Sequence, residues 1–477
     1  MEKIEEIKEK IKKNPQNWEG AIFQFACSLA CGLAKEMLEG MDDELAREKT
    51  KDTRVVSFKE KWLMCLFGDV RFRRRLYRDS DGGYHFLLDE KLGLDKGSHV
   101  SPVMKRLAVE ASTNYTFREV EQNIKAVFPW APSHSTIHNL SGKVADGYIE
   151  EEKEEVKALY EDGVIPGSED RVSSYLFMEA DGVNISLQRE KERKAEIKAG
   201  IAYEGWEEIT KERYKLKEKS VYGGIMGGER FWKGFSLTLA KKYDLSRIDK
   251  VIVGGDGAPW VKLGAELFGG LYELDRFHLR RALYQSLCRD PLAGDIYRAC
   301  INGDIAMVEK LLIQAQQGTD KERAKEIMKL RGYLMDNCYG LRDYRLEVSG
   351  DGLRGLGAME ANVDKLFADR MKKRGMSWTK KGANRMAKLI TLSRTTKLDM
   401  GKRSCAKPAP ALSKKGVDVP QSQLYEQDGS AWLQAEMPAF HGPHSDRPWV
   451  QALRALVYGD NRMVAYASHP KTQPTKS

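Results

Sequence analysis

A chain of 477 residues has room for two to four domains, each with its own core. Its 41% hydrophobic and 31% charged content fits a folded globular protein rather than a disordered one. The net charge of +9 and pI of about 8.9 favour a polyanionic partner without requiring one, and seven scattered cysteines with no Cys-x-x-Cys pair argue against a zinc ribbon or a redox dithiol.

Met1 to Glu6 is acidic and lacks the basic start of a signal peptide. The apolar stretch Ala21 to Ala34 is broken by Gln24 and Ser28 and is too short to span a bilayer, so a cytoplasmic location and no membrane partner are expected. Ile4, Ile7 and Ile11 mark a short amphipathic helix, and a longer one is predicted from Trp18 to Leu45. Cys27 and Cys31 lie on one face of it and read as core residues. These helices make up a first region, 1–60.

Region 61–98 reads as a basic β-hairpin, with strands Trp62–Phe67, Val70–Tyr77 and Tyr84–Leu88 and turns at Gly68-Asp69 and Asp81-Gly82-Gly83. Arg73, Arg74 and Arg75 crowd its second strand and are expected to meet a phosphate backbone. Region 99–146 carries three predicted helices, Pro102–Ala111, Phe117–Val127 and His134 to about Val144, with Ser101, Thr116 and Ser133 as caps. Three short helices in this order suit a helix-turn-helix module. The third would present Ser135, Thr136 and Asn139 to base edges. An ordinary small helical domain is the alternative.

A linker helix, 147–172, precedes an α/β core that begins at 173–290. Its first strand is predicted to end at Asp181, with Val183–Leu187 turning back and Lys194–Tyr203 following as a third strand. A Gly-rich loop (Gly223, Gly224, Gly227, Gly228) comes next, and the strand Lys250–Val253 leads to Asp256. A short strand, Leu271–Leu274, reaches Asp275. An antiparallel meander followed by alternating helices and strands predicts a mixed α/β fold. Region 291–350 is helical in character. Region 351–400 holds Glu360 and a second basic run, Lys372, Lys373 and Arg374, followed by Trp378; 401–477 is a Pro- and Lys-rich tail with one short helix near Pro448–Val457.

Asp181 and Asp256 each follow an apolar strand and precede a glycine, and Glu360 supplies a third acid. Acids placed this way can converge on two Mg²⁺ or Mn²⁺ ions, which need only a few carboxylates and retained waters and which promote phosphodiester chemistry. Glu347 and Asp364 compete with Glu360 for the third position. There is no Gly-x-x-x-x-Gly-Lys-Ser/Thr loop, no dinucleotide fingerprint, no His-Glu-x-x-His and no Gly-x-Ser-x-Gly, which argues against an ATPase motor, a Rossmann enzyme, a zinc protease and a typical α/β-hydrolase.

Several strings carry a resemblance. Val253-Gly254-Gly255-Asp256-Gly257-Ala258-Pro259-Trp260 followed by Leu274-Asp275-Arg276-Phe277-His278 resembles the DDE transposases of bacterial insertion sequences. Phe67-Gly68-Asp69-Val70, Leu87-Leu88-Asp89-Glu90, Met359-Glu360-Ala361-Asn362-Val363, the Arg370–Trp378 run and Arg447-Pro448-Trp449 are similar to the ISLre-type members, a group that has also carried the label of an uncharacterised protein family. The resemblance implies a ribonuclease-H-like core with an all-helical insertion before the last acid. It also implies Asp181, Asp256 and Glu360 as catalytic metal ligands, with Asp275 and His278 in support. The implied activity is Mg²⁺-dependent cleavage and 3′-OH strand transfer at terminal inverted repeats, by a homo-oligomer assembled on DNA. Trp378 would then stack on an unpaired base, or anchor the core. A metal-dependent nuclease of the same fold, and a non-catalytic DNA-binding regulator or decayed transposase, are the competing functions.

Overall fold

The computed structural model describes residues 2–395 except Thr50, Lys51, Pro129, Glu212 and Arg289. The helix expected near Pro448–Val457 and the Arg447-Pro448-Trp449 string lie outside the described residues. The described chain divides into two units, one ending at Gly147 and one covering Tyr148–Thr395.

The first unit opens with α1 (Glu2–Lys13) and α2 (Trp18–Glu48). With the Pro15–Asn17 turn, α2 is long and apolar enough to cross a membrane by length and composition, which exceeds the shorter stretch read from the sequence. One face of α2 nonetheless packs on a sheet. Cys31, Ala34, Leu38, Met41 and Leu45 join Leu63, Val70 and Phe72 in a common core. That sheet is β1 (Arg54–Cys65), β2 (Gly68–Arg78) and β3 (Tyr84–His85), antiparallel in the order β1-β2-β3. α3 (Leu87–Lys91) takes over the last two residues of the third strand expected from the sequence.

The helices α4 (Pro102–Ser112) and α5 (Phe117–Val127) begin where their caps dictate. The Ser101 side chain accepts from Met104 N, and Thr116 and Glu119 form a reciprocal capping box. The third helix does not stop near Val144. α6 runs unbroken from His134 to Tyr160, taking in the segment read as a linker helix, because no proline intervenes and its two glycines, Gly142 and Gly147, cost only about 1 kcal/mol each.

The second unit is built on a five-stranded sheet of β4 (Tyr175–Ser186), β5 (Lys194–Tyr203), β8 (Ser220–Gly224), β9 (Lys250–Gly255) and β10 (Leu271–Leu274). A separate two-stranded ribbon, β6 (Trp206–Thr210) and β7 (Arg213–Leu216), lies between β5 and β8 in sequence. The main sheet has the order β10-β9-β4-β5-β8; β4, β9 and β10 are parallel, while β5 is antiparallel to both its neighbours. Two sequence expectations change here. β4 does not end at Asp181 but continues to Ser186, paired with β5 throughout. The third strand of the meander is β8, whose Gly223 and Gly224 read as loop. A side chain at Gly223 would overlap Phe367, so glycine here serves close packing rather than a turn.

Leu176, Met178 and Ala180 point to one face of the sheet, under Phe231, Trp232 and Phe235 of α7 (Gly228–Ala240) and Val261 of α8 (Pro259–Phe268). After β10, four helices form the expected helical region: α9 (Arg276–Leu287), α10 (Ala293–Asn302), α11 (Ile305–Gln316) and α12 (Lys321–Asp336). They share a core of their own around Leu283, Ile296, Val308, Leu312 and Leu330. The chain then crosses to α13 (Ala358–Val363), which passes through a π-helical turn, Asp364–Ala368, into α14 (Asp369–Met371). α15 (Lys380–Thr395) packs on β8, where Thr395 bonds both backbone groups of Val221.

Candidate active site

The parallel register determines the centre of the site. Ala180 of β4 pairs with Gly255 of β9, and Gly255 pairs with Leu274 of β10. The next residue on each chain is an aspartate, so Asp181, Asp256 and Asp275 form a row across three adjacent strands. Neighbouring strands lie about 4.8 Å apart. The backbone N–H of Asp275 donates to Gly255 O at 2.8 Å, which continues the ladder to the row itself. The row marks the carboxyl ends of β9 and β10, the usual place for ligands in open sheets with parallel strands.

Each aspartate is held by a local backbone bond. Asp181 Oδ1 accepts from Gly182 N at 2.7 Å, and Asp256 Oδ1 accepts from Ala258 N at 2.9 Å. Gly257, at φ +96°, makes the turn after Asp256 possible. Asp275 caps α9 by accepting from Phe277 N at 2.6 Å, and that helix carries His278 in its first turn.

His278 Nδ1 lies 3.8 Å from Asp275 Oδ1, an ion-pair distance too long for a hydrogen bond. Nδ1 is buried without a hydrogen-bond partner. Contact with the Asp275 carboxylate holds His278 above its ordinary value, and Asp181 and Asp256 act in the same direction. Burial pushes Asp181 up, opposed by the Gly182 N–H and reinforced by Asp256. Burial also pushes Asp275 up, but His278 and the Phe277 N–H outweigh it and leave the group lowered. Asp181, Asp275 and His278 are therefore each shifted by charges gathered in one place.

The helical region holds this place from one side. Tyr333 Oη donates to Asp256 O at 2.9 Å, and Asn337, one turn later on the chain, donates to Tyr333 O at 2.7 Å. The buried Asn337 Oδ1 has no hydrogen-bond partner, and a side chain at Gly257 would come within 2.7 Å of it.

Glu360 stands apart from the row. It is exposed on the first turn of α13, and the structure records no contact between it and the aspartates. Among the described residues, no three Asp, Glu, His or Cys side chains form a group able to hold one metal ion. The helix bearing Glu360 is nevertheless tied to β4, because Glu179 Oε2 accepts from Gly357 N and Met359 N. The row does suit a hard divalent cation in part. It offers two neighbouring carboxylates, Asp181 and Asp256, each with one oxygen spent on a backbone N–H, and Mg²⁺ commonly takes one or two carboxylates and keeps its waters.

Of the residues expected to meet DNA, some are exposed and others are engaged internally. Arg74 is buried, bonds Asp89 at 3.1 Å and lies over the Phe86 ring. Arg75 pairs with Asp42 and Asp43, each at 2.7 Å. Both are structural cations, because alternation along β2 turns Arg74 inward and the acidic end of α2 lies beside Arg75. Arg73 is exposed, over the Phe58 ring. On α6, Ser135 and Asn139 are exposed and Thr136 is half-buried beside Ser133, while Ile137 and Leu140 face inward. Lys372, Lys373 and Arg374 are exposed, with Lys373 paired to Asp364 and Asp369. Trp378 is buried, donates to Met371 O at 2.9 Å and lies under Arg370, so of the two roles left open for it the core anchor is the one observed.

The sequence reading passed over Glu179, Glu273, Tyr333 and Asn337. The two glutamates carried a usable signal, since each is a single acid inside an apolar strand, Leu176-Phe177-Met178-Glu179-Ala180 and Leu271-Tyr272-Glu273-Leu274.

A UPF0236 protein of Caldanaerobacter subterraneus subsp. tengcongensis is 26% identical over 381 residues, covering 76% of this chain and 76% of its own. A Streptococcus gallolyticus protein, named as a UPF0236 protein in the vanSb 3′ region, is 27% identical over 370 residues, covering 75% and 78%. The model of the uncharacterised protein family UPF0236 matches residues 11–404, and the chain belongs to that family.

Proposed function

We propose that this protein is a DNA transposase of a bacterial insertion sequence, acting in the cytoplasm on the ends of its own element. The observation that carries the reading is the in-register row Asp181, Asp256 and Asp275, with His278 beside it. The sheet supports a ribonuclease-H-like core. Numbered along the chain its five strands lie in the order 3-2-1-4-5, with only the second reversed. An all-helical region between β10 and the helix of Glu360 agrees with the arrangement that the sequence resemblance implies. One relative's name joins eleven locus designations of a single strain, and repetition within a genome is what a mobile element leaves behind.

On this reading Asp181 and Asp256 hold divalent metal, with Glu360 as the third acid. Bound there, Mg²⁺ or Mn²⁺ supplies activation of the attacking oxygen and stabilisation of the leaving one. Asp275 and His278 act on the DNA end. His278, whose protonated form its acidic neighbours favour, would then offer a cationic N–H to a phosphate oxygen. The exposed faces of α6 and of the Lys372–Arg374 segment supply contacts to bases and backbone. A homo-oligomer on DNA would bring two element ends together.

Asp181→Asn and Asp256→Asn are expected to lower cleavage of a terminal-repeat duplex in Mg²⁺ by at least about 100-fold, on the scale of losing a principal electrostatic group. Binding to the same duplex should persist. Full cleavage by either variant would overturn the assignment. Cleavage by the native chain without joining of a pre-cut 3′ end would assign it as a nuclease, and binding without cleavage as a regulator.

A further inference from the structure

We infer that Glu179 is a positioning residue, which fastens the helix carrying Glu360 to the strand carrying Asp181. The inference rests on the reading that Asp181, Asp256 and Glu360 serve one metal site.

Glu179 lies two residues before Asp181 on the same face of β4 and is only 1% exposed. An apolar side chain would suit this position better if packing were its whole role, since a buried carboxyl group is costly unless fully bonded. Glu179 is fully bonded. Oε1 accepts from Tyr203 Oη at 2.5 Å, and Oε2 accepts from Gly357 N at 3.0 Å and Met359 N at 2.9 Å. The first turn of a helix leaves backbone N–H groups without intrahelical partners, and they are ordinarily capped by a side chain close in sequence. Gly357 has no side chain to cap with. The cap of α13 comes instead from a strand nearly 180 residues earlier, across the whole helical region.

A second carboxylate in the same register row repeats the device. Glu179 aligns with Gly254, and Gly254 with Glu273. Glu273 is also 1% exposed, and its Oε2 accepts from Tyr344 N at 2.7 Å. Leu356 sits over Gly254 between them, so closely that a side chain there would come within 2.7 Å of Leu356 Cδ1. The two ends of segment 344–359 are therefore pinned to one row of the sheet, two residues before the row of aspartates. Glu360 follows the second pin by one residue, which makes the placement of its helix a consequence of Glu179 rather than of α13 itself.

The chemistry of the clamp predicts how substitutions differ. In Glu179→Gln the amide oxygen can accept from both N–H groups while the Tyr203 hydroxyl reverses to accept, so the clamp survives. In Glu179→Ala it is lost. Glu179→Asp keeps an acid but withdraws it by one C–C bond, about 1.5 Å, beyond hydrogen-bond reach.

The test uses the full chain and two readouts. The first is amide exchange in a peptide covering residues 353–363. The second is the Mg²⁺ concentration giving half-maximal cleavage of a terminal-repeat duplex. Glu179→Ala should exchange faster in that peptide with the rest of the sheet unchanged. It should also raise the Mg²⁺ requirement by about 10–100-fold, the range for partners that orient metal ligands, with KM for DNA unaltered and Gln close to native. If the alanine variant does not fold, Glu179→Asp gives the same comparison. Native exchange and a native Mg²⁺ requirement in the Ala or Asp variant would overturn the clamp. Asp181→Asn serves as the control. Should it also cleave normally, the metal-site reading fails, and the exchange data alone then decide the clamp.

Discussion

Arg74 and Arg75 show how residue identity and residue role part company. Five arginines between Arg71 and Arg78 read as one basic face. In the folded unit Arg74 bridges to Asp89, which also binds Lys61 at 3.2 Å, and the three charges are nearly enclosed. Removing one member of a buried charge cluster leaves its partner uncompensated, which costs about 3–5 kcal/mol. Arg74→Ala is therefore expected to lower the melting temperature of the first unit sharply, while Arg73→Ala leaves it nearly unchanged. A thermal melt followed by circular dichroism separates the two, and equal melting temperatures would refute the assignment. On the proposed DNA-binding role, each exposed cation removed, such as Lys372 or Arg374, should reduce the slope of log K against log salt by about one.

Among the elements, α7 and α8 depend on glycines at which a side chain would collide. A Cβ on Gly264 would fall 2.2 Å from the Trp232 ring, and one on Gly234 would fall 1.9 Å from Tyr222 Oη. In an exposed helix, Gly→Ala gains about 1 kcal/mol from propensity. Here the overlap is with a fully buried indole whose Nε1 is already bonded to Trp260 O, so the ring has nowhere to retreat. Overpacking costs about 1–3 kcal/mol, and the sterics win. Gly264→Ala is predicted to be destabilising, and a rise in its urea midpoint would show the packing to be looser than described. The same scale explains which elements could be read in advance. Caps at Ser101 and Thr116 gave α4 and α5 their true starts, since capping depends on residues three apart. The end of α6 and the length of β4 could not be read this way. Gly182 looked like a turn, yet in β4 its place is set by the Glu196 side chain of β5 lying over it.

Across the whole second unit, buried carboxyl groups make stability depend on pH. Burial lifts Glu273 from an ordinary 4.5 to about 7, against the opposing pull of Arg276 and the Tyr344 N–H. A carboxyl group raised in the folded state binds its proton more tightly there than in the unfolded chain. Its contribution is intact below pH 4.5 and is lost as pH rises through about 7, a cost on the order of 3 kcal/mol by linkage. Glu273→Gln keeps an acceptor for Tyr344 N and removes the titration. Its melting temperature should exceed that of the native chain by a margin that widens from pH 4.5 to pH 8; a constant margin would remove Glu273 as the cause. What the sequence determined by itself was local or additive: the mixed α/β class, the helical region after β10, the helix starts, and Asp181, Asp256, Asp275 and His278 as residues of interest. Alternating polarity, capping spacings and apolar strands ending in acids are written along the chain. Only the tertiary structure decided that three of those residues stand in one register row, that Glu179 reaches Met359, and that Arg74 and Trp378 turn inward. Strand register and burial are set by partners tens to hundreds of residues away, and a one-residue slip would send every side chain to the other face.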